Sequence, residues 1–94
     1  MAILVTAINP VGTREQDQAA MKGMNLEANP PKGSLLRLAG PVENGWRILS
    51  VWESREAFDA FRKDRLEPFF RQVGRPLPTF EFSPLESVIV MKQG

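Results

Sequence analysis

Trp46-Arg47-Ile48-Leu49-Ser50-Val51-Trp52 runs straight into Glu53-Ser54-Arg55-Glu56-Ala57-Phe58, a strand that turns into a helix with almost no loop. Bulky groups alternate along the first seven residues, which is the period of a strand. Trp46, Ile48, Ser50 and Trp52 share one face, and Arg47, Leu49, Val51 and Glu53 share the other. Apolar groups on both faces predict that both are covered, at least in part. One layer of helices covers only one of them; a second subunit could cover the other. Ser54 is placed to cap the helix, with Glu56 in the first turn. Ala57, Phe58, Phe61, Leu66, Phe69, Phe70 and Val73 form its apolar side. Asp59 and Lys63 have the spacing of an ion pair on the wet side, and Arg62-Lys63-Asp64-Arg65 reads as a solvated face. Pro68 cannot donate to the carbonyl of Asp64, which predicts a kink or a fresh segment near Glu67. Gly74 ends the helix, and Pro76 and Pro78 lead the chain back to the sheet.

Upstream, Asn44-Gly45 supplies the positive φ values of a tight hairpin turn, so a strand over 34–39 should pair antiparallel with 46–52. In that strand Leu36 and Leu38 share one face, Leu35 and Arg37 the other. The loop Asn29-Pro30-Pro31-Lys32-Gly33 precedes it. Before the loop, Thr13-Arg14-Glu15-Gln16 fits a capping box and opens a first helix expected to run to about Ala28. Its apolar stripe is thin: Ala20, Met21, Met24 and Ala28, with Leu26 to one side. Ala2 to Ile8 is short, apolar and rich in β-branched residues, bounded by Asn9-Pro10 and Gly12, and reads as a buried strand. It has no basic residue ahead of its apolar run and no small-residue cleavage pattern, so no leader peptide or membrane span is expected there. Downstream, Thr79-Phe80-Glu81-Phe82 alternates like a strand, Ser83-Pro84 interrupts it, and Glu86 to Met91 should resume it, the proline keeping this element at an edge or a bulge. Lys92-Gln93-Gly94 is expected to fray.

The order β-α-β-β-α-β is the split βαβ arrangement of ferredoxin-like α+β folds, an antiparallel four-stranded sheet with its helices on one face. Ninety-four residues make one domain, 1–94, burying roughly 60–65% of the surface the unfolded chain would expose. A net charge of +1 gives nucleic acid or an anionic membrane no electrostatic pull. The absence of cysteine excludes disulfides and thiolate chemistry and fits a reducing cytoplasm. Histidine and tyrosine are absent too. Proton transfer near neutral pH would therefore fall to Asp, Glu or Lys, to a backbone group, or to a substrate. The acidic residues form no ligand-spaced cluster, so no metal is expected.

Arg47 to Phe58, with valine-tryptophan, a short polar cap and then alanine-phenylalanine, resembles the strand-to-helix signature of the antibiotic biosynthesis monooxygenase-like superfamily. Asn44-Gly45-Trp46 and Ala39-Gly40-Pro41 are similar to small bacterial members of uncharacterised function. The resemblance implies a homodimer, a dimeric α+β barrel whose two sheets meet face to face with helices outside. It implies chemistry ranging from cofactor-independent oxygenases and isomerases to haem degradation and no known activity, and the fold does not choose among them. Haem-degrading relatives carry a tryptophan where Phe61 stands, a ligating histidine where Arg71 stands and an asparagine near Val5, so haem degradation is not expected. Relatives with histidines at the positions of Arg37 and Glu86 suggest an ion pair between those residues across the dimer; the plainer reading is that both side chains point to solvent.

Two functions follow. The first is a cofactor-independent monooxygenase or isomerase for a small, flat, hydrophobic substrate, in a pocket walled by Trp46 or Trp52 from the sheet and by Phe58, Phe61, Phe69 and Phe70 from the helix, with Met24 on the first helix. Trp52, Asn9 and Arg71 are candidate polar contacts. Each also has a structural reading: Trp52 as core with its indole N–H satisfied, Asn9 as a turn former, Arg71 as a surface cation. The alternative is a non-catalytic dimeric module that binds a small ligand or plays an accessory role. The missing histidine and tyrosine favour it. An RNA-binding ferredoxin-like domain would need basic flanks around exposed aromatics, which this chain lacks.

Overall fold

The computed structural model describes residues 1–92, so the expectation for Gln93 and Gly94 lies outside the described residues. Along the chain it has β1 (Ile3–Pro10), α1 (Arg14–Gly23), β2 (Ser34–Val42), β3 (Gly45–Trp52), α2 (Arg55–Phe61), α3 (Glu67–Val73) and β4 (Thr79–Pro84). The sheet is antiparallel in the order β2-β3-β1-β4. This is the ferredoxin-like α+β architecture.

Local chemistry sets the helix ends. Thr13 Oγ1 accepts from Gln16 N–H at 3.1 Å while Gln16 Oε1 accepts from Thr13 N–H at 3.3 Å, a complete capping box. The first helix ends at Gly23, five residues before the expected Ala28. Asn25 takes the left-handed conformation (φ 55°). Its N–H then reaches Lys22 O, and that of Leu26 reaches Met21 O at 3.0 Å. This is a Schellman stop, with asparagine in the place glycine usually holds. Ser54 caps α2 by accepting from Ala57 N–H. The break expected near Glu67 takes the form of a wider π-type turn over Arg62–Leu66, after which Pro68 sits in the first turn of α3, where its missing N–H does no harm. Gly74 (φ 70°) closes α3.

Several expectations need correction. The hairpin turn is centred on Glu43 and Asn44, because Val42 pairs with Gly45. Asn44 alone is left-handed there (φ 62°), and Gly45 opens β3. A bulge between Ser34 and Leu36 leaves Leu35 out of register. Asp59 accepts from Arg55 at 3.1 Å, one turn earlier, rather than from Lys63. Arg62 pairs with Glu67 at 3.2 Å, and Arg65 donates to Asn29 O and Met24 O, tying the π-type turn to the chain after α1. Of that cluster Lys63 and Asp64 are exposed, while Arg62 and Arg65 are half-buried. Beyond Pro84 the chain makes one ladder-like bond, Leu85 N–H to Ala2 O at 2.9 Å. Glu86 to Met91 then runs exposed without joining the sheet.

The core lies on one side of the sheet. Val5, Trp52 and Phe58 form one buried cluster; Ala20, Met24, Leu26, Leu66 and Phe70 form another. Ile3, Val5, Ala7 and Asn9 of β1, Ala39 and Arg37 of β2, and Trp46, Ile48, Ser50 and Trp52 of β3 share that inward face by register. The other face carries Leu4, Thr6 and Ile8, Leu36 and Leu38, Leu49 and Val51. Ile8, Leu36 and Leu38 are exposed there.

Candidate functional site

Between the inward sheet face and the helices lies a cavity of about 180 Å³. Its inner wall is aromatic. Trp52 stands edge-on to Phe58 (centroids 5.5 Å apart, 79° between planes) and 5.1 Å from Phe61. Phe58 also meets Phe80 at 5.3 Å, edge-on. Such offset and edge arrangements are the favourable ones for rings carrying a quadrupole. Met24, Ala20 and Leu66 close the helix side and Val5, Ala7 and Ile48 the sheet side.

Three charged side chains reach this wall: Asp17, Arg37 and Arg75. Arg37 projects inward from β2 and grips Asp17 of α1 through two parallel bonds, Nη2 to Oδ1 at 2.5 Å and Nη1 to Oδ2 at 3.3 Å. The pair is part-buried, the Asp17 side chain being 11% exposed. Arg75 lies over the Phe70 ring at 5.3 Å. Trp52 Nε1 donates to Ser50 Oγ at 2.9 Å. The Nε1 of Trp46 is buried and has no acceptor among the described residues. Among the described residues no group of acidic side chains could hold a metal ion, and no helix is long and apolar enough to cross a membrane.

Trp52, Phe58, Phe61, Phe70, Asn9 and Met24 all line the cavity. Phe69 and Arg71 do not. Phe69 packs edge-on against Phe70 and beside Gly23, where an added Cβ would lie 2.4 Å from its ring. Arg71 is exposed on α3. Arg37 finds its carboxylate within its own chain, and Glu86 is exposed. Sequence reasoning misses the polar wall residues Asp17, Gln16, Ser50 and Arg37 as site residues. For Asp17 a signal is there: it sits three, four and seven residues before Ala20, Met21 and Met24, on the apolar stripe itself. A carboxylate on that stripe faces the interior and needs a partner.

No protein-family model matches the sequence, and no curated protein matches it significantly. Solved structures do match it over nearly its whole length. A protein from Chloroflexus aurantiacus J-10-fl, described as a putative antibiotic biosynthesis monooxygenase, aligns at TM-score 0.58 and 19% identity, covering 100% of this chain and 98% of that one. SnoaB, a cofactor-independent oxygenase from Streptomyces nogalater, aligns in a point-mutant form at TM-score 0.57 and 14% identity, with coverage of 98% and 97%. MhuD, in a point-mutant form with two manganese protoporphyrin IX molecules per active site, aligns at TM-score 0.60 and 16% identity, with coverage of 97% and 100%. The chain has the fold of the antibiotic biosynthesis monooxygenase-like proteins, as the resemblance carried by Arg47 to Phe58 implied.

Proposed function

We propose that residues 1–94 form one domain whose cavity binds a small, flat, hydrophobic ligand, and that the protein oxygenates or isomerises that ligand without a cofactor. The supporting observation is the aromatic-walled space of about 180 Å³ between sheet and helices, with few polar groups on its wall. Ligand sites are mostly apolar concavities with a few placed polar groups. An engineered cavity of about 150 Å³ holds benzene, so this space suits one or two fused rings. The fold shared with SnoaB points the same way.

The experiment is a thermal-shift screen of quinols, flavonoids and haem, followed by oxygen uptake with each stabilising compound. A quinol that stabilises the protein and consumes oxygen supports the oxygenase. Stabilisation without turnover supports the second reading, a non-catalytic binding module. That reading rests on the absence of histidine and tyrosine, which leaves the site without the commonest general base. A haem Soret shift would instead favour porphyrin binding of the kind seen in MhuD.

We further propose a cytoplasmic homodimer formed through the outer sheet face. Exposed Ile8, Leu36 and Leu38 make an apolar surface with Leu49 and Val51 beside them on the same face, and Val88, Ile89, Val90 and Met91 are exposed in the chain after β4. β2 is an edge strand with free backbone groups, which another copy's tail could pair. Size-exclusion with light scattering tests this: Leu38→Lys should convert a dimer to a monomer, and a wild-type monomer would overturn the proposal.

A further inference from the structure

Arg37 and Ser50 face each other across the β2–β3 ladder, and both point to the cavity, as does Asp17 from α1. Rings and aliphatic carbon make up most of the wall around them, with Asn9, Thr13, Gln16, Ser34 and Arg75 as its other polar side chains. A strap joining α1 to β2 could have been placed on the outside of the molecule. This one lies on the lining of a hydrophobic space, where an ion pair loses solvation that it must recover from other partners.

Counting donors and acceptors shows what is left over. The guanidinium has five N–H groups, and Asp17 takes two of them. A carboxylate has about four lone-pair sites, and Arg37 occupies two. Ser50 Oγ accepts from the Trp52 indole, and its own proton is donated to no side chain among the described residues. One short stretch of wall therefore presents two kinds of spare donor and a spare acceptor together. Neither the ion pair nor the Trp52–Ser50 bond has to break for these groups to be used.

We infer that Asp17, Arg37 and Ser50 form an oxygen-recognition subsite, which takes a ligand whose flat ring carries a hydroxyl group. Asp17 accepts the hydroxyl hydrogen, while Arg37 and Ser50 donate to its oxygen. The ring lies against Trp52, Phe58 and Phe61. The inference rests on the reading of the cavity as a ligand site, and it adds what that site selects.

Three probes separate the two ideas: naphthalene, methoxynaphthalene and naphthol, each titrated into the full chain and followed by tryptophan fluorescence. Naphthol should bind about tenfold more tightly than naphthalene, the effect of one or two good hydrogen bonds. Methoxynaphthalene keeps the oxygen but has no hydrogen for Asp17, so it should fall between them. In Asp17→Leu with Arg37→Met, which preserves net charge, the ratio of naphthol to naphthalene affinity should fall to about one. Should that double variant fail to fold by circular dichroism, Ser50→Ala serves, with a loss of about two- to threefold for naphthol alone. Equal affinities of the three probes in the unaltered protein, or a preference that survives the substitutions, would overturn the subsite while leaving the cavity as a ligand site. Failure of all three probes to bind would overturn both.

Discussion

The two tryptophans share one sheet face and differ in one respect that should decide their replacement by phenylalanine. Trp52 is 2% exposed and its indole N–H bonds Ser50 Oγ at 2.9 Å. Trp46 has a buried Nε1 with no acceptor among the described residues. Exchanging indole for phenyl gives up on the order of 1 kcal/mol of burial at either site. At Trp52 the change also removes a hydrogen bond worth about 1 kcal/mol and leaves Ser50 with a lost partner. Trp52→Phe should therefore destabilise by about 2–3 kcal/mol. At Trp46 the change removes an unsatisfied donor whose desolvation costs about 1–3 kcal/mol, so the result should lie between neutral and about 2 kcal/mol stabilising. For a chain of this size each kcal/mol moves Tm by about 4–8 °C, which makes the contrast easy to see. Urea and thermal unfolding at one fixed protein concentration provide the measurement, since self-association would make Tm concentration-dependent. Each variant keeps a single tryptophan, so fluorescence also reports each site alone. If Trp46→Phe is as damaging as Trp52→Phe, the reasoning from the unpaired N–H is wrong.

Gly33 has φ 85°, and a Cβ there would lie 2.6 Å from that of Ala57, whereas a Cβ at Gly40 meets nothing within 4 Å. In urea unfolding, Gly33→Ala should cost about 2–4 kcal/mol, from left-handed strain plus overlap, and Gly40→Ala should be nearly neutral. Val11 is β-branched, exposed and left-handed (φ 56°) just after β1. Val11→Asn should raise stability by about 0.5–1 kcal/mol in the same assay, because asparagine tolerates that region far better. Ala7 is buried on the cavity wall. Ala7→Leu should add about 1–2 kcal/mol of stability by filling space while abolishing naphthalene binding; unchanged binding would mean the probe sits elsewhere.

What can be read from the sequence is what periodicity and punctuation encode. The alternation through Trp46–Trp52, the caps at Thr13 and Ser54, the stop at Gly74 and the break before Pro68 all depend on residues within one or two turns of one another. What cannot be read depends on geometry between distant segments. The end of α1 falls earlier than its pattern suggests because Ala28 continues the apolar spacing of Ala20 and Met24, and the left-handed role of Asn25 shows only in the bonds of Asn25 and Leu26 to the turn before. The Asp59–Lys63 spacing is sound for an α-helix, but Asp59 lies within reach of Arg55, which also covers the Phe82 ring at 3.6 Å. A partner for Arg37 in another subunit is what the resemblance suggests, and the neighbouring sequence gives no sign of a different one. Asp17 is twenty residues away and meets it only after α1 packs on the sheet. Glu86 to Met91 has the composition of a strand, yet the sheet of a single chain offers it no place beyond Pro84.

The cavity follows from an imbalance between elements. β1, which lies inside the sheet, turns Val5, Ala7 and Asn9 inward, and α1 with its C-cap faces them with Ala20 and Met24. These residues are mostly small, while Trp46, Trp52, Phe58, Phe61, Phe70 and Phe80 stand around them. Large rings at the perimeter hold the layers apart, and small side chains at the centre cannot fill the gap. A domain that needed only to fold would gain by putting leucine where Ala7 stands, because close packing is the ordinary condition of protein interiors. A chain of this length has a total stability of only about 5–14 kcal/mol, so leaving such a gap open gives up an appreciable part of it. The wall of that gap also carries the Arg37–Asp17 pair, another feature that a core built for stability alone would replace with hydrocarbon. The ligand site proposed above accounts for both departures at once, since functional sites are where the rules of packing and polar satisfaction are broken.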